Sequence, residues 1–159
     1  MELTTFAIVA MIAGVIGTIG LTAYSQIITK SGLVNADMIR AVGGFYSRSY
    51  DRAKGIGLLV HFIAGILFSG IYIFFMLNVL KLDALGATIF SGIIMGFIHG
   101  FIFSFGMAII SGKHPIEKFR EVDFRTAVVH ALGHVVYGLL VGGVIGLLLS
   151  RDFLQATGS

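Results

Sequence analysis

Residues 128–146 read VVHALGHVVYGLLVGGVIG, a run of apolar residues and glycines with two histidines and no Asp, Glu, Lys or Arg. A spacing of four keeps side chains on one face of a helix. In lipid, small residues on such a face let two helices pack closely, and polar residues mark the protein interior. The stretch therefore predicts a membrane-spanning helix with one inward face. The small or polar residues at this spacing are His130, His134, Gly138, Gly142 and Gly146.

Three more apolar runs precede this one, so the chain is predicted to cross a membrane four times. The predicted spans are residues 6–29, 56–80, 85–111 and 125–149, and each reaches the roughly 20 residues that a bilayer requires. The composition agrees, with 57% hydrophobic and only 12% charged residues. Four segments cannot close a barrel, so we predict an all-α integral membrane four-helix bundle, a single domain over residues 1–159.

The other three spans carry similar rows of small or polar residues. We interpret the row in the third span, which has His99 beside it, as a packing ridge whose partner is the fourth span or another protein. The rows are Ala10, Gly14, Thr18, Thr22 and Gln26 in the first span, Gly57, His61, Gly65 and Ser69 in the second, and Thr88, Gly92, Gly96, Gly100, Ser104 and Ala108 in the third.

The Lys and Arg residues predict the orientation of these spans. Residues 30–54 hold five of them and residues 113–125 hold four, which is nine of the eleven in the chain. Because basic loops stay on the cytoplasmic side, we predict a protein of the inner or plasma membrane with both termini outside the cytoplasm. Topology thus accounts for the net charge of +3, and no nucleic-acid partner is expected. The length of the first run favours a retained span over a signal peptide.

The first basic loop is predicted to hold a short helix. Asn35 would cap it, the helix would run through Arg40, and Gly43-Gly44 would end it. Its apolar and basic residues suit a segment that lies in the lipid headgroup layer.

The second basic loop is predicted to hold another short helix, from Pro115 to Glu121. His114 is expected to be solvated beside it, and Asp123 is expected to cap the fourth span. On the other side of the membrane, the turn between the second and third spans is short, so these spans are predicted to be antiparallel neighbours.

Two segments suggest an internal repeat. Leu59-Val60-His61 in the second span matches Val128-Val129-His130 in the fourth, and both spans run in the same direction. A duplicated helical hairpin would give two parallel hairpins related by an axis along the membrane normal. Chance similarity between apolar stretches is the alternative.

The four histidines in the spans are expected to lie in two layers. With a rise of ~1.5 Å per residue, His61 and His130 lie roughly 8 Å inside the cytoplasmic boundary, and His99 and His134 lie roughly 14–18 Å inside it. If the third span packs on the fourth, His99 and His134 would approach each other.

Four interpretations of these histidines are open. They would hold a haem as axial ligands, or His130 and His134 would chelate a bare transition-metal ion from one face. Alternatively, they line a proton or substrate path or form hydrogen bonds between helices that stabilise the packing. The path would be extended by Tyr24, Gln26, Tyr72 and Tyr137.

Enzyme motifs are incomplete in this chain. His130-Ala131-Leu132-Gly133-His134 has the histidine spacing of a zinc-protease helix, but Ala131 stands where that motif has its catalytic Glu. None of the four predicted spans contains Asp or Glu, which argues against paired-carboxylate chemistry. We therefore predict no catalysis by the chain itself.

Four stretches together resemble a family of small, uncharacterised prokaryotic four-span membrane proteins. They are the glycine-rich first span ending near Ser25-Gln26, Met38-Ile39-Arg40, residues 60–65 (VHFIAG) and residues 129–138 (VHALGHVVYG). The resemblance covers nearly the whole chain, does not include His99, and implies the four-span fold without any known activity.

We predict a non-catalytic subunit or accessory of a larger, energy-converting membrane complex. Its partners would be lipid and either other membrane subunits or further copies of itself. The candidate ligands of a haem or transition metal are His61, His99, His130 and His134, with His130 and His134 as the pair for a bare ion. The alternative is a small homo-oligomeric transporter or channel with a histidine-lined path.

Overall fold

The computed structural model describes residues 1–151, and this part of the chain is helical without strands, which confirms the all-α prediction. Four of its helices are long and apolar enough to cross a membrane. The C-terminal end, predicted to lie outside the cytoplasm, is beyond the described residues. The helices are α1 (Leu3–Lys30), α2 (Met38–Ser47), α3 (Tyr50–Phe74, continued by a π-helical turn Phe75–Val79), α4 (Leu85–Ile110) and α5 (Phe124–Ser150).

We call the end of the bundle where α1 ends and α3 begins the basic end. The loops there contain most of the Lys and Arg residues, in residues 30–54 and 113–125. The half of the bundle away from this end has a core of large apolar side chains. This core includes Val9, Ile73, Met76, Val141, Ile145 and Leu149.

Glycines bring α4 and α5 into backbone contact. A Cβ atom on Gly96 would collide with the carbonyl oxygen of His134, and one on Gly138 would collide with that of Gly92. Such an interface needs small residues on both helices, because dispersion and Cα–H···O contacts between the backbones then hold the pair together. Of the two partners predicted for the ridge of the third span, the structure selects the fourth span.

Helix α1 joins the two halves of the bundle. On one side, Gly14 lies against the backbone of Gly65 and Ile66 in α3. On another, Gly17 lies against the side chains of Tyr137 and Val141 in α5. The row of small residues in the first span therefore packs against both α3 and α5, and its closer backbone contact is with α3.

The second and third spans are antiparallel neighbours as predicted, but they meet through side chains rather than through their backbones. Helices α3 and α4 are joined by the short turn, yet their backbones scarcely approach each other. Their small faces point elsewhere, since Gly57 of α3 lies against α2 and the glycines of α4 lie against α5. Between α3 and α4 stand large rings instead, with Phe68 stacked on His99 at 3.9 Å between centroids. The bundle is consequently open along this side.

The lack of backbone contact between α3 and α4 also affects the predicted internal repeat. The hairpins α1–α3 and α4–α5 both form, and α1 packs on α5. A twofold axis that exchanges the two hairpins would pair α4 with α3 in the same way as it pairs α1 with α5. In the described residues, the backbones of α3 and α4 make almost no such contact. The packing of the two hairpins therefore lacks the predicted symmetry.

Helix α2 differs from its prediction at both ends. Its N-cap is Asp37, whose carboxylate accepts the N–H of Arg40, whereas the side chain of Asn35 accepts the N–H of Asp37. It continues through Gly43-Gly44 to Ser47, because Gly43 packs against the Ala53 carbonyl of α3 and needs to be small there. On its apolar face, Met38 and Ala41 pack with Phe119 of the second loop.

The second loop also corrects the sequence analysis. The expected helix from Pro115 to Glu121 is a single 3₁₀ turn, Glu117–Phe119, after another turn at Ser111–Lys113. His114 is 1% exposed rather than solvated. Its Nε2 lies 2.8 Å from the Ala41 carbonyl oxygen, which links the second loop to α2. The two loops were predicted separately from the sequence, whereas in the structure they are in contact.

Asp123 caps α5 as predicted, because its carboxylate accepts the N–H of Thr126 at 2.8 Å. The hydrogen bonds from Thr126 hold the pKa of this carboxyl below its ordinary value of 3.8. A lower folded-state pKa means that the stabilisation is complete above the unfolded-state pKa and is lost as the pH falls through the folded-state pKa.

We expect Asp123→Ala to lower the midpoint of thermal unfolding by a few degrees at neutral pH. Asp123→Asn should retain most of the stability, since Asn is an equally good cap. Thermal melts of the detergent-purified variants check this. The gap between the wild type and Asp123→Ala should hold down to about pH 4 and shrink below it; a gap that is unchanged at about pH 2 would contradict the role of the charged cap.

Candidate ligand site

All four histidines of the predicted spans line one cavity, of about 170 Å³, between α3, α4 and α5. The prediction that imidazoles from separate helices share an interior space is thereby confirmed. Thr18 of α1 and Tyr137 of α5 add hydroxyl groups to the walls. The remaining walls are mostly apolar, from Leu21, Met38, Val42, Val60, Ala64, Gly65, Phe68, Phe103 and Met107.

His99 and His134 approach each other as predicted, with ring centroids 4.6 Å apart. The glycines at the α4–α5 interface allow this, because they let the two backbones lie in contact at this depth. His99 is held from the other side by the stacked ring of Phe68. Its Nδ1 atom lies 3.4 Å from the hydroxyl oxygen of Tyr72.

His130 and His134 are one helical turn apart on α5, and their ring centroids lie 4.7 Å apart. The Nδ1 of His134 donates to the carbonyl oxygen of His130 at 3.1 Å. This hydrogen bond places the proton of the neutral His134 ring on Nδ1 and leaves the lone pair on Nε2. His130 is buried, and its Nδ1 pairs with the Ser104 hydroxyl at 2.9 Å.

His61 occupies the opposite wall of the cavity, on α3. It is partly exposed, whereas His130 and His134 are buried. It is positioned by α3, which contacts α4 through Phe68 and α5 through the carbonyl of Gly65.

Two of the four residues suggested to extend a polar path reach the histidines. Tyr72 contacts His99, and the Tyr137 hydroxyl donates to the Gly65 carbonyl while its ring lies 6.1 Å from that of His99. Gln26 lies at the surface of α1. Tyr24 is also on α1, near Gly133 and outside the cavity lining.

Several cavity residues escaped the sequence analysis. Met38 and Met107 bring thioether groups to the lining, and Phe68 holds His99. Phenylalanine is common throughout the spans and Met107 is one apolar residue among many on α4, so no local signal separates these two from lipid-facing residues. Met38 lies outside the spans, in α2, and reaches the cavity only through the packing of that helix. Thr18 is different, because its place in the small-residue row of the first span already indicated an inward position.

A haem does not fit between the imidazole rings of His99 and His134. Two imidazoles on opposite faces of a haem have their ligating nitrogens about 4 Å apart across the metal, and therefore their ring centroids roughly 6 Å apart, with the macrocycle between them. The 4.6 Å between the centroids of His99 and His134 leaves no such space. The 170 Å³ cavity is also below the roughly 300–1,000 Å³ typical of pockets for drug-sized ligands.

For a single metal ion, what matters is which ligating groups lie close together. In residues 1–151, no three His, Cys, Asp or Glu residues lie together in an arrangement that would hold a metal ion. The histidines instead come in close pairs, and the cavity lining includes no carboxylate. The ligand atoms offered are therefore neutral imidazole nitrogens and thioether sulfurs.

No family model matches this chain, and neither a curated protein nor a solved structure is significantly similar to it.

Proposed function

We propose that the chain is a non-catalytic integral membrane protein, an accessory of a larger membrane assembly, whose histidine cavity binds one transition-metal ion. The observation that carries the proposal is the convergence of four imidazoles from α3, α4 and α5 on one cavity. His134 is the principal ligand, because its Nδ1–H is held by a carbonyl and its Nε2 is left as a lone-pair donor.

The charge of the ligands favours a monovalent ion. The Born cost of burying an ion rises with the square of its charge, so a monovalent ion costs about a quarter of what a divalent ion costs. The cavity lining offers neutral ligands, including the thioethers of Met38 and Met107, and no carboxylate that would compensate a second positive charge. Thioether sulfur selects Cu(I), and imidazole also suits copper. Cu(I) accepts two or three ligands, which agrees with histidines that come in pairs.

Competition with the coloured Cu(I) chelator bicinchoninate tests this on the detergent-purified protein. We expect one Cu(I) per chain, and His134→Leu should weaken binding at least about tenfold. Two methionines of α4 provide a matched pair, since Met107 lines the cavity and Met95 packs on the apolar core. Met107→Leu should weaken binding and Met95→Leu should not. Stoichiometric Zn²⁺ binding at equal affinity, or no Cu(I) binding, would show that the proposal is wrong.

The accessory role is supported by the outward surface of α4. Apart from its glycine face, this helix exposes large rings, among them Phe90, Phe97 and Phe101. A surface of this kind suits lipid or the helix of another subunit. Purification from native membranes in a mild detergent tests the proposal. Other membrane subunits should copurify in fixed ratio, whereas a chain that runs alone would contradict it.

A transporter or channel is less well supported for a single chain. Its specific support is the row of polar side chains from Tyr72 through His99, His134 and His130 to Ser104. Beyond Tyr72, the half of the bundle away from the basic end is packed with large apolar side chains. A path through that half would need a second conformation or a second copy of the chain.

A further inference from the structure

A second cavity, of about 510 Å³, lies at the basic end between the end of α1 and the starts of α2 and α3. Three cations line it, namely Lys30, Arg40 and Lys54, against one acid, Asp37. It shares no lining residue with the histidine cavity. The other lining residues are Ser25, Gln26, Thr29, Ala36, Ile39 and Leu58.

The guanidinium of Arg40 is held in place by its neighbours. Its Nη1 donates to a carboxylate oxygen of Asp37 at 2.6 Å, and its Cζ lies 5.0 Å from the centroid of the Tyr50 ring. The hydrogen bond to Asp37 raises the pKa of Arg40, so the group stays charged. Its Nε is buried and has no hydrogen-bond partner among the described residues.

The charges of the cavity do not balance. Asp37 pairs with Arg40, and this leaves Lys30 and Lys54 as excess positive charge around the same space. Both lysines are exposed, so their ammonium groups can turn toward a ligand. An arginine fork with two flexible ammonium groups suits an anion with several oxygens better than a single carboxylate.

The position of the cavity also points to its ligand. It lies where α1 and α3 pass from apolar span to basic loop. Ile27 and Leu59, close to its lining residues in sequence, expose their side chains to the surroundings. A molecule with a phosphate head and acyl chains would place the head among the cations and the chains along these helices. The volume also falls in the range typical of small-molecule sites.

We propose that this cavity binds a phosphate-bearing headgroup, as found in anionic glycerophospholipids. A free glycerol phosphate offers the same chemistry without the acyl chains. The site is independent of the histidine cavity and of any metal.

Native mass spectrometry of the full chain in detergent tests the proposal with dioctanoylphosphatidylglycerol, dioctanoylphosphatidylcholine and glycerol 3-phosphate as probes. We expect the phosphatidylglycerol to bind most tightly. Lys30→Gln and Lys54→Gln should each weaken its binding about fivefold. Lys113→Gln removes an exposed charge at the same end but outside the cavity, and it should leave binding unchanged.

Every outcome of this experiment either supports the proposal or overturns it. Tight, lysine-dependent binding of phosphatidylglycerol supports a lipid headgroup, and equally tight, lysine-dependent binding of glycerol 3-phosphate supports a free phosphate compound. Equal binding of phosphatidylcholine and phosphatidylglycerol would overturn the proposal. Equal effects of Lys54→Gln and Lys113→Gln would also overturn it, and so would the absence of binding by all three probes.

Discussion

The Gly96→Leu substitution is expected to destabilise the bundle by about 3 kcal/mol or more. A Cβ at this position meets the carbonyl group of His134 and the backbone of Val135, so the new side chain has no flexible neighbour to displace. The two helices have to separate, and the backbone contacts along α4 and α5 are lost together. Equilibrium unfolding of the detergent-purified protein, followed by circular dichroism, measures the change in free energy.

Two glycines provide controls for this experiment. Gly106 on α4 and Gly143 on α5 have nothing within 4 Å of an added Cβ. Leucine substitutions at those sites should leave the free energy of unfolding unchanged or raise it slightly, because Gly has a low helix propensity. If Gly106→Leu were as damaging as Gly96→Leu, the loss would not come from the α4–α5 interface.

The same substitution should also affect the proposed metal site. The contact at Gly96 lies on the carbonyl of His134, and it sets how closely His99 approaches that histidine. Any Gly96→Leu protein that remains folded should therefore bind Cu(I) more weakly than the wild type. The interface of small residues thus positions the candidate ligands as well as stabilising the fold.

The His114→Ala substitution is expected to reduce the free energy of unfolding by about 3 kcal/mol. It removes the hydrogen bond from Nε2 to the Ala41 carbonyl and the contact of Nδ1 with the backbone of Ile116. It also removes a ring that packs edge-on to Phe45 and Phe119, at 4.4 and 5.2 Å between centroids. Equilibrium unfolding measures the loss.

Lys113→Ala serves as the control, because Lys113 is adjacent in sequence and exposed. It should leave the free energy of unfolding within about 0.5 kcal/mol of the wild type. Proteolysis gives a second readout, since the loss of this link should expose the second loop and α2 to cleavage. Equal stability of His114→Ala and Lys113→Ala would contradict the buried role of the imidazole.

Much of the histidine site could be predicted from spacing. His130 and His134 are four residues apart and so share a face, and a ridge of small residues beside His99 indicated which face of α4 would meet a partner. The pairing of His99 with His134 then followed from depth. Met107 and Phe68 could not be found this way, because apolar residues occur on every side of a membrane helix.

The loops were predicted less well. A glycine pair after Arg40 resembled a helix end, yet Gly43 instead allows α2 to pack on the Ala53 carbonyl. A histidine beside Pro115 resembled a solvated loop residue, yet its hydrogen-bond partner, Ala41, is 73 positions away in the sequence. Both errors have the same origin, since local residue preferences contain no information about a distant partner.

The number of membrane-spanning helices, their approximate lengths and the small faces on them follow from the sequence alone. Lipid offers no hydrogen bonds to a backbone, so each apolar run has to be a helix whatever surrounds it. Which of these small faces pack against each other depends on the pairing of segments that are distant in the sequence. An almost uniformly apolar helix is compatible with several such pairings. Contacts across the bundle settled that α3 joins α1 and α2 rather than α4, and the open side that results contains the histidine cavity.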